Sequence, residues 1–167
     1  KAYGITYWVL ENGVESWWLL NYRGGSFAFP YNELFKKECQ IRGVSFEVIP
    51  DAAFNKILTD IESPEINQAS MKLEKAPRIA VYTPDINART GERTQPWDDA
   101  VTLVLTYAEI PYETIYDTEV LNDELVKYDW LHLHHEDFTG QYGRFYRSYH
   151  NTQWYKENKA RMEELAV

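Results

Sequence analysis

Apolar and polar positions recur along the chain in runs short enough to read as separate strands and helices. Residues 3–10 (YGITYWVL) are β-branched and aromatic, which predicts a strand. Asn12-Gly13 follows, a pair that tolerates positive φ, and residues 14–20 (VESWWLL) then read as the return strand of a hairpin. Residues 21–26 (NYRGGS) form a glycine loop and 27–30 (FAFP) a short edge strand. Asn32 is placed to cap a helix over 33–42, with Leu34, Phe35 and Cys39 to one side and Gly43 to end it. Residues 44–49 (VSFEVI) alternate and predict another strand. Asp51 opens a second helix whose Phe54, Ile57, Leu58 and Ile61 make an i, i+3, i+4, i+7 stripe. Residues 62–76 are polar and read as a partly helical connector.

The rhythm changes at Pro77. Residues 78–82 (RIAVY) are a short apolar run of the kind that fills a central parallel strand. A polar loop over 83–94 leads to Pro96, well placed in the first turn of a helix reaching Ala108, with Val101, Val104 and Leu105 facing inward. Ile110-Pro111 ends it. Residues 112–116 predict a second strand, 119–126 a short helix and 130–134 (WLHLH) a third strand, and 158–167 read as helix. Strands alternating with helices imply right-handed crossovers and a doubly wound parallel sheet. The expected fold class is therefore α/β: a small α+β region over 1–76, then over 77–167 the first half of a flavodoxin-like parallel sheet. Three parallel strands leave an edge to be paired, so the N-terminal strands, a second copy of the chain or, as the favoured reading, the remainder of a longer polypeptide is expected to complete the sheet.

Composition narrows the classes. With 44% hydrophobic and 26% charged residues among 167, the chain can bury a core. The formal net charge is -9, and the acidity is uneven: residues 1–76 carry 8 basic and 10 acidic groups, residues 77–167 carry 9 and 16. Such a balance repels phosphate backbones and disfavours nucleic acid as a partner. The single cysteine, Cys39, excludes an intramolecular disulfide framework and a CxxC site, and its place among apolar neighbours predicts an inert thiol. No apolar run approaches the roughly 20 residues that span a bilayer.

The densest polar cluster is His132-Leu-His134-His135-Glu136-Asp137, where the third parallel strand ends. Ligands of open α/β sheets bind at that edge. His132 and His134 share a strand face, so two imidazoles could serve a metal-dependent hydrolase, with Glu136 or Asp137 as third ligand. The competing readings are packing and loop capping, or acid–base work without metal. Gly140 and Gly143 lie in a loop that either exposes N–H groups to an anion or is plain surface. Tyr142, Tyr146 and Trp154 belong to an aromatic stretch that either buries a loop or stacks on sugars. Arg23, in the glycine loop, either clamps an anion or simply decorates a turn.

The strings Pro77-Arg-Ile-Ala-Val-Tyr-Thr-Pro84, Gln95-Pro-Trp-Asp-Asp99 and Tyr128-Asp-Trp-Leu-His-Leu-His-His-Glu-Asp-Phe-Thr-Gly-Gln-Tyr-Gly143 resemble a family of secreted Bacteroidetes proteins. These commonly carry the label asparagine synthetase B. The opening Lys1-Ala-Tyr-Gly-Ile-Thr-Tyr-Trp8 and Leu20-Asn-Tyr-Arg-Gly-Gly-Ser-Phe27 are similar to the same family's N-terminal region. The resemblance implies a periplasmic or extracellular protein with a class I glutamine-amidotransferase-like domain from about Pro77. It also implies that later strands, with the nucleophile elbow, follow Val167. The synthetase chemistry of the label does not carry over. Lys1 stands where such enzymes use cysteine, and Gly24-Gly25-Ser26 lacks the flanking Ser and Asp of an ATP-pyrophosphatase loop.

The leading expectation is thus an uncharacterised ligand-binding or hydrolytic amidotransferase-like domain. Its site lies at the carboxyl edge of the strands, over 83–89 and 134–143. His135 and Glu136 are the candidate catalytic pair, and Arg89, His134, Asp137, Thr139, Tyr142 and Arg144 the candidate binding residues; no metal is assigned and no cofactor is identified. The alternatives are a non-catalytic cell-envelope module that binds glycans, and the metal-dependent hydrolase using His132 and His134.

Overall fold

The computed structural model describes residues 1–83, 99–133 and 150–165. The chain is mixed α/β, with one antiparallel and one parallel sheet of three strands each. It divides into two compact units, the first made of Lys1–Ala76 with Leu105–Ile110, the second of Pro77–Val104 with Pro111–Val167.

The first unit opens with α1 (Ala2–Glu11), where the residue types predict a strand. The β-branched and aromatic residues of 3–10 are overridden by packing: Ile5, Trp8 and Val9 fall at i, i+3, i+4, and Ile5 and Val9 bury against Phe35 and Cys39. Asn12-Gly13 is accordingly a helix stop rather than a hairpin turn. Gly13 takes φ of 74°, its N–H donates to Leu10 O and that of Val14 donates to Val9 O, the paired bonds of a Schellman cap. β1 (Ser16–Leu20) pairs antiparallel with β2 (Ser26–Ala28) on one side and β3 (Ala69–Leu73) on the other. β3 lies in the stretch that reads as a partly helical connector. Its own pattern is weak, and the unfilled edge of β1 makes it a strand. Conversely, residues 44–49 are no strand, because no ladder partner reaches them among the described residues.

Helix α2 (Glu33–Arg42) starts where Asn32 Oδ1 accepts the N–H of Leu34 and stops at Gly43, left-handed at φ of 67°. Helix α3 (Asp51–Ile61) turns its apolar stripe inward, with Ile61 fully buried and Phe54 edge-on to Trp17. Cys39 is buried, and desolvation raises its thiol pKa, so the thiol is inert as expected. Residues 105–110 close this unit. A Cβ on Gly4 would lie 1.6 Å from the carbonyl oxygen of Ala108, so α1 passes that backbone at a distance only glycine permits. Glu109, left-handed at φ of 61°, takes Lys1 Nζ and Arg42 Nη1, each at 3.2 Å.

The second unit contains β4 (Ile79–Tyr82), α4 (Ala100–Ala108, whose last turns cluster with the first unit), β5 (Glu113–Ile115), α5 (Asp117–Leu121), a 3-10 turn over Glu124–Lys127, β6 (Trp130–Leu133) and α6 (Gln153–Leu165). Strand order is β5-β4-β6, all parallel, with Val81 level with Thr114 and His132. All four residues of β4 are buried, as in a central strand covered on both faces. The expected 119–126 helix is interrupted at Asp123, left-handed at φ of 60°. In α4 the buried residues are Thr102, Leu105 and Ala108, while Val104 is 63% exposed, contrary to the inward place its type suggests. The helix (AVTLVLTYA) is apolar on nearly every side, so its pattern does not select a face. Among the described residues, no helix is long and apolar enough to cross a membrane.

Candidate functional site

A parallel strand sends alternate side chains to opposite faces. Tyr82 and Ala80 pack with Ile115, Val120, Leu125, Tyr128 and Leu133, which defines the α5 face. There the Tyr82 hydroxyl meets Asp117 Oδ1 at 2.6 Å, and Arg161 Nε of α6 lies 3.3 Å from Asp117 Oδ2. On the same side burial and a hydrogen bond to Glu113 push the Tyr128 phenol up to about 12.

The opposite face holds Val81, Thr83 and His132. Their placement follows from alternation and register, and His132 reaches the first turn of α4: Nε2 lies 3.1 Å from Asp99 Oδ2. Asp99 also caps that helix. Its Oδ1 accepts the N–H groups of Val101 (2.6 Å) and Thr102 (3.2 Å), and its carbonyl accepts the Thr102 hydroxyl at 2.9 Å. The Asp99 side chain is 8% exposed and that of His132 19%. One carboxylate therefore caps a helix N-terminus and lies beside an imidazole whose Nε2, though close, makes no well-aligned hydrogen bond among the described residues. Thr83 continues β4 by donating its N–H to Ile115 O, and its fully buried hydroxyl has no hydrogen-bond partner among the described residues. A buried hydroxyl left unpaired costs on the order of 1–3 kcal/mol, and the Ser16 hydroxyl of the first unit is in the same position among the described residues.

Helix α4 lies on the His132 face, and α6 packs with α5 and meets Asp117 on the Tyr82 face. In open α/β sheets ligands settle at the carboxyl ends of neighbouring strands whose helices part to opposite faces.

Of the residues expected from sequence to form the site, His135, Glu136, Arg89, His134, Asp137, Thr139, Tyr142 and Arg144 lie outside the described residues, as does Tyr146. His132 is described, and its neighbour is a carboxylate of α4. Among the described residues no group of three or more His, Cys, Asp or Glu side chains gathers as a metal site. Arg23, in the 3-10 turn Tyr22–Gly24, pairs with exposed Glu47 at 2.9 Å. Asp99 is the member that residue types alone do not pick out. Its signal is an Asp placed immediately before an apolar helix, and that reads only as a cap.

No protein-family model matches the chain, and neither the curated proteins nor the solved structures contain a significant match to it.

Proposed function

We propose that the second unit is a class I glutamine-amidotransferase-like domain that binds or hydrolyses a small polar ligand at the carboxyl edge between β4 and β6. The observation that carries this reading is the polar group at the β4–β6 edge: the Thr83 hydroxyl, buried without a hydrogen-bond partner among the described residues, and the Asp99–His132 pair stand beside the buried strand β4. Strand order β5-β4-β6, with the first strand central, agrees with a flavodoxin-like beginning. The family resemblance of residues 128–143 supports the same reading and, with it, a periplasmic or extracellular location. Asparagine synthesis is not part of it.

The test is an NMR titration of the protein with L-glutamine, L-asparagine, ethanolamine, inorganic phosphate and simple hexoses in turn. Shifts clustering at Thr83, Asp99 and His132 with any of these support the reading. Shifts confined to other residues, or none with any probe, overturn it.

A further inference from the structure

Residues 44–49 (VSFEVI) carry the alternation of a strand, yet no ladder takes them up among the described residues. They run without turn or bend from Gly43, which ends α2, to Pro50, which precedes α3. Among the described residues their backbone makes one hydrogen bond, from the Val44 N–H to Cys39 O at 2.8 Å. The apolar side chains are open as well: Phe46 is 44% exposed and Val48 57%. Glu47, the one charged member, pairs with Arg23 at 2.9 Å, so this strip is locally neutral on a chain of net charge -9. Water satisfies an exposed backbone, but a β-branched and aromatic run left open in this way is a template for another strand.

The one bond already made selects the open edge. In an extended run the N–H groups of alternate residues leave by opposite edges. That of Val44 turns toward Cys39 of α2, so the edge carrying the Ser45 and Glu47 groups faces the other way. Val44, Phe46 and Val48 share one face, Ser45 and Glu47 the other. Antiparallel pairing with an identical segment, about a two-fold axis at Phe46, fits this edge. It makes Ser45 and Glu47 hydrogen-bonded pairs with about four ladder bonds, and leaves the Val44 N–H with Cys39. The two Phe46 rings then stand opposite each other, and each Val44 stands opposite a Val48, at the closer spacing of non-hydrogen-bonded pairs. An axis at Glu47 would oppose two carboxylates, and a slip of one residue would set apolar against polar side chains.

We propose that residues 44–49 are a self-complementary edge through which two copies of this chain pair as antiparallel strands. The charge pattern favours a second copy as the occupant. Acidic surfaces of this chain repel one another, whereas this neutral strip matches itself position by position. Gly43 and Pro50 bound it, so the contact is short and well below the roughly 1,200 Å² of a standard interface, and the pair is weak, with a Kd on the order of 0.1 mM.

The test follows the whole chain by sedimentation velocity and amide hydrogen exchange as its concentration rises to about 1 mM. A dimer and nothing larger is expected, with the Ser45 and Glu47 amides gaining protection while those of Phe46 and Val48 do not. Phe46→Lys, at an exposed position, is expected to weaken pairing about tenfold without lowering Tm. Ser45→Pro removes a ladder N–H but keeps the apolar face, and is expected to weaken pairing severalfold. Val126→Lys, at a residue 88% exposed in the second unit, is expected to change nothing. A monomer throughout overturns the proposal, as do assemblies beyond a dimer or a dimer whose protection rises equally along residues 45–48. A dimer that Val126→Lys breaks and Phe46→Lys leaves intact overturns it too.

Discussion

The two units solve burial differently. The first builds its interior from rings: Trp8 and Phe29 stand edge-on to Phe35 at 5.5 and 5.8 Å, and Trp17 stands edge-on to Phe54 at 5.4 Å. Its ion pairs Arg23–Glu47, Lys36–Glu33, Lys56–Asp60 and Lys72–Glu15 lie at the surface, where such pairs contribute little. The second unit buries polar groups at the heart of its sheet: Thr83, Asp99, Thr102 and Asp117 are all under 10% exposed. Apolar rings would fill such a space more cheaply, since desolvated polar groups stabilise only when fully partnered. The first unit buries polar groups too, Thr6 and Ser16, so the difference lies in carboxylates: only the second unit buries them, as Asp99 and Asp117, among the described residues.

That contrast can be broken at its points of greatest strain. Gly4→Ala drives a methyl into the Ala108 carbonyl, where backbone cannot yield. It is expected to destabilise the first unit by about 3 kcal/mol, overwhelming the helix propensity that alanine gains. Urea unfolding followed by hydrogen exchange should show the loss in amides of α1 first. Asp117→Ala removes the common partner of Tyr82 and Arg161, and is expected to cost the second unit about 2 kcal/mol, read as a lowered Tm. If it costs nothing, the buried network is ornamental and the contrast fails on that side.

Two matched caps sharpen the comparison. Asn32→Ala should cost about 1 kcal/mol, the ordinary loss of one capping bond. Asp99→Ala should cost nearer 2 kcal/mol, since it releases two N–H groups and removes the carboxylate beside His132. Equal losses in denaturant titrations would mean that His132 gains nothing from Asp99.

The smallest effect is alkaline. Tyr128 is pushed up from 10 to about 12, and Cys39 is raised from 9, both first by burial. A raised folded pKa means that the folded state holds its proton longer. Each contribution is therefore complete below the unfolded pKa and is lost as pH rises: above about 9 for Cys39, and between about 10 and 12 for Tyr128. Tyr128→Phe should flatten the second part of the decline and Cys39→Ala the first, measured as Tm against pH. Since they sit in different units, their effects should add.

Much of the fold is legible where local chemistry and tertiary demand agree. Asn32 and Gly43 bracket α2 at the residues their types announce, and of the i, i+3, i+4, i+7 stripe of α3 Ile61 is buried while Phe54, Ile57 and Leu58 are half-buried. The run Ile79–Tyr82 is apolar on both faces and becomes the central parallel strand. Where several outcomes satisfy the same residues, the pattern misleads. Residues 3–10 suit a strand by type and a helix by spacing, and Phe35 with Cys39 supplies the surface that rewards the helix. The site was half legible. His132 stands out as an imidazole ending a parallel strand, but the carboxylate that meets it comes from 33 residues earlier, and no spacing along the chain announces such a meeting.

By itself, then, the order of residues determined the three parallel strands of the second half, the helices α2 and α3 and the acidic character of the region from Pro77. Those depend on local conformational preference and charge, which each segment carries with it. Tertiary structure alone decided that residues 2–11 are helical, that 69–73 are a strand while 44–49 are not, and that Asp99 meets His132. Each of these depends on a surface that distant segments supply. A marginal local preference yields to such burial, because one well-packed apolar face outweighs the few tenths of a kcal/mol by which strand and helix differ per residue.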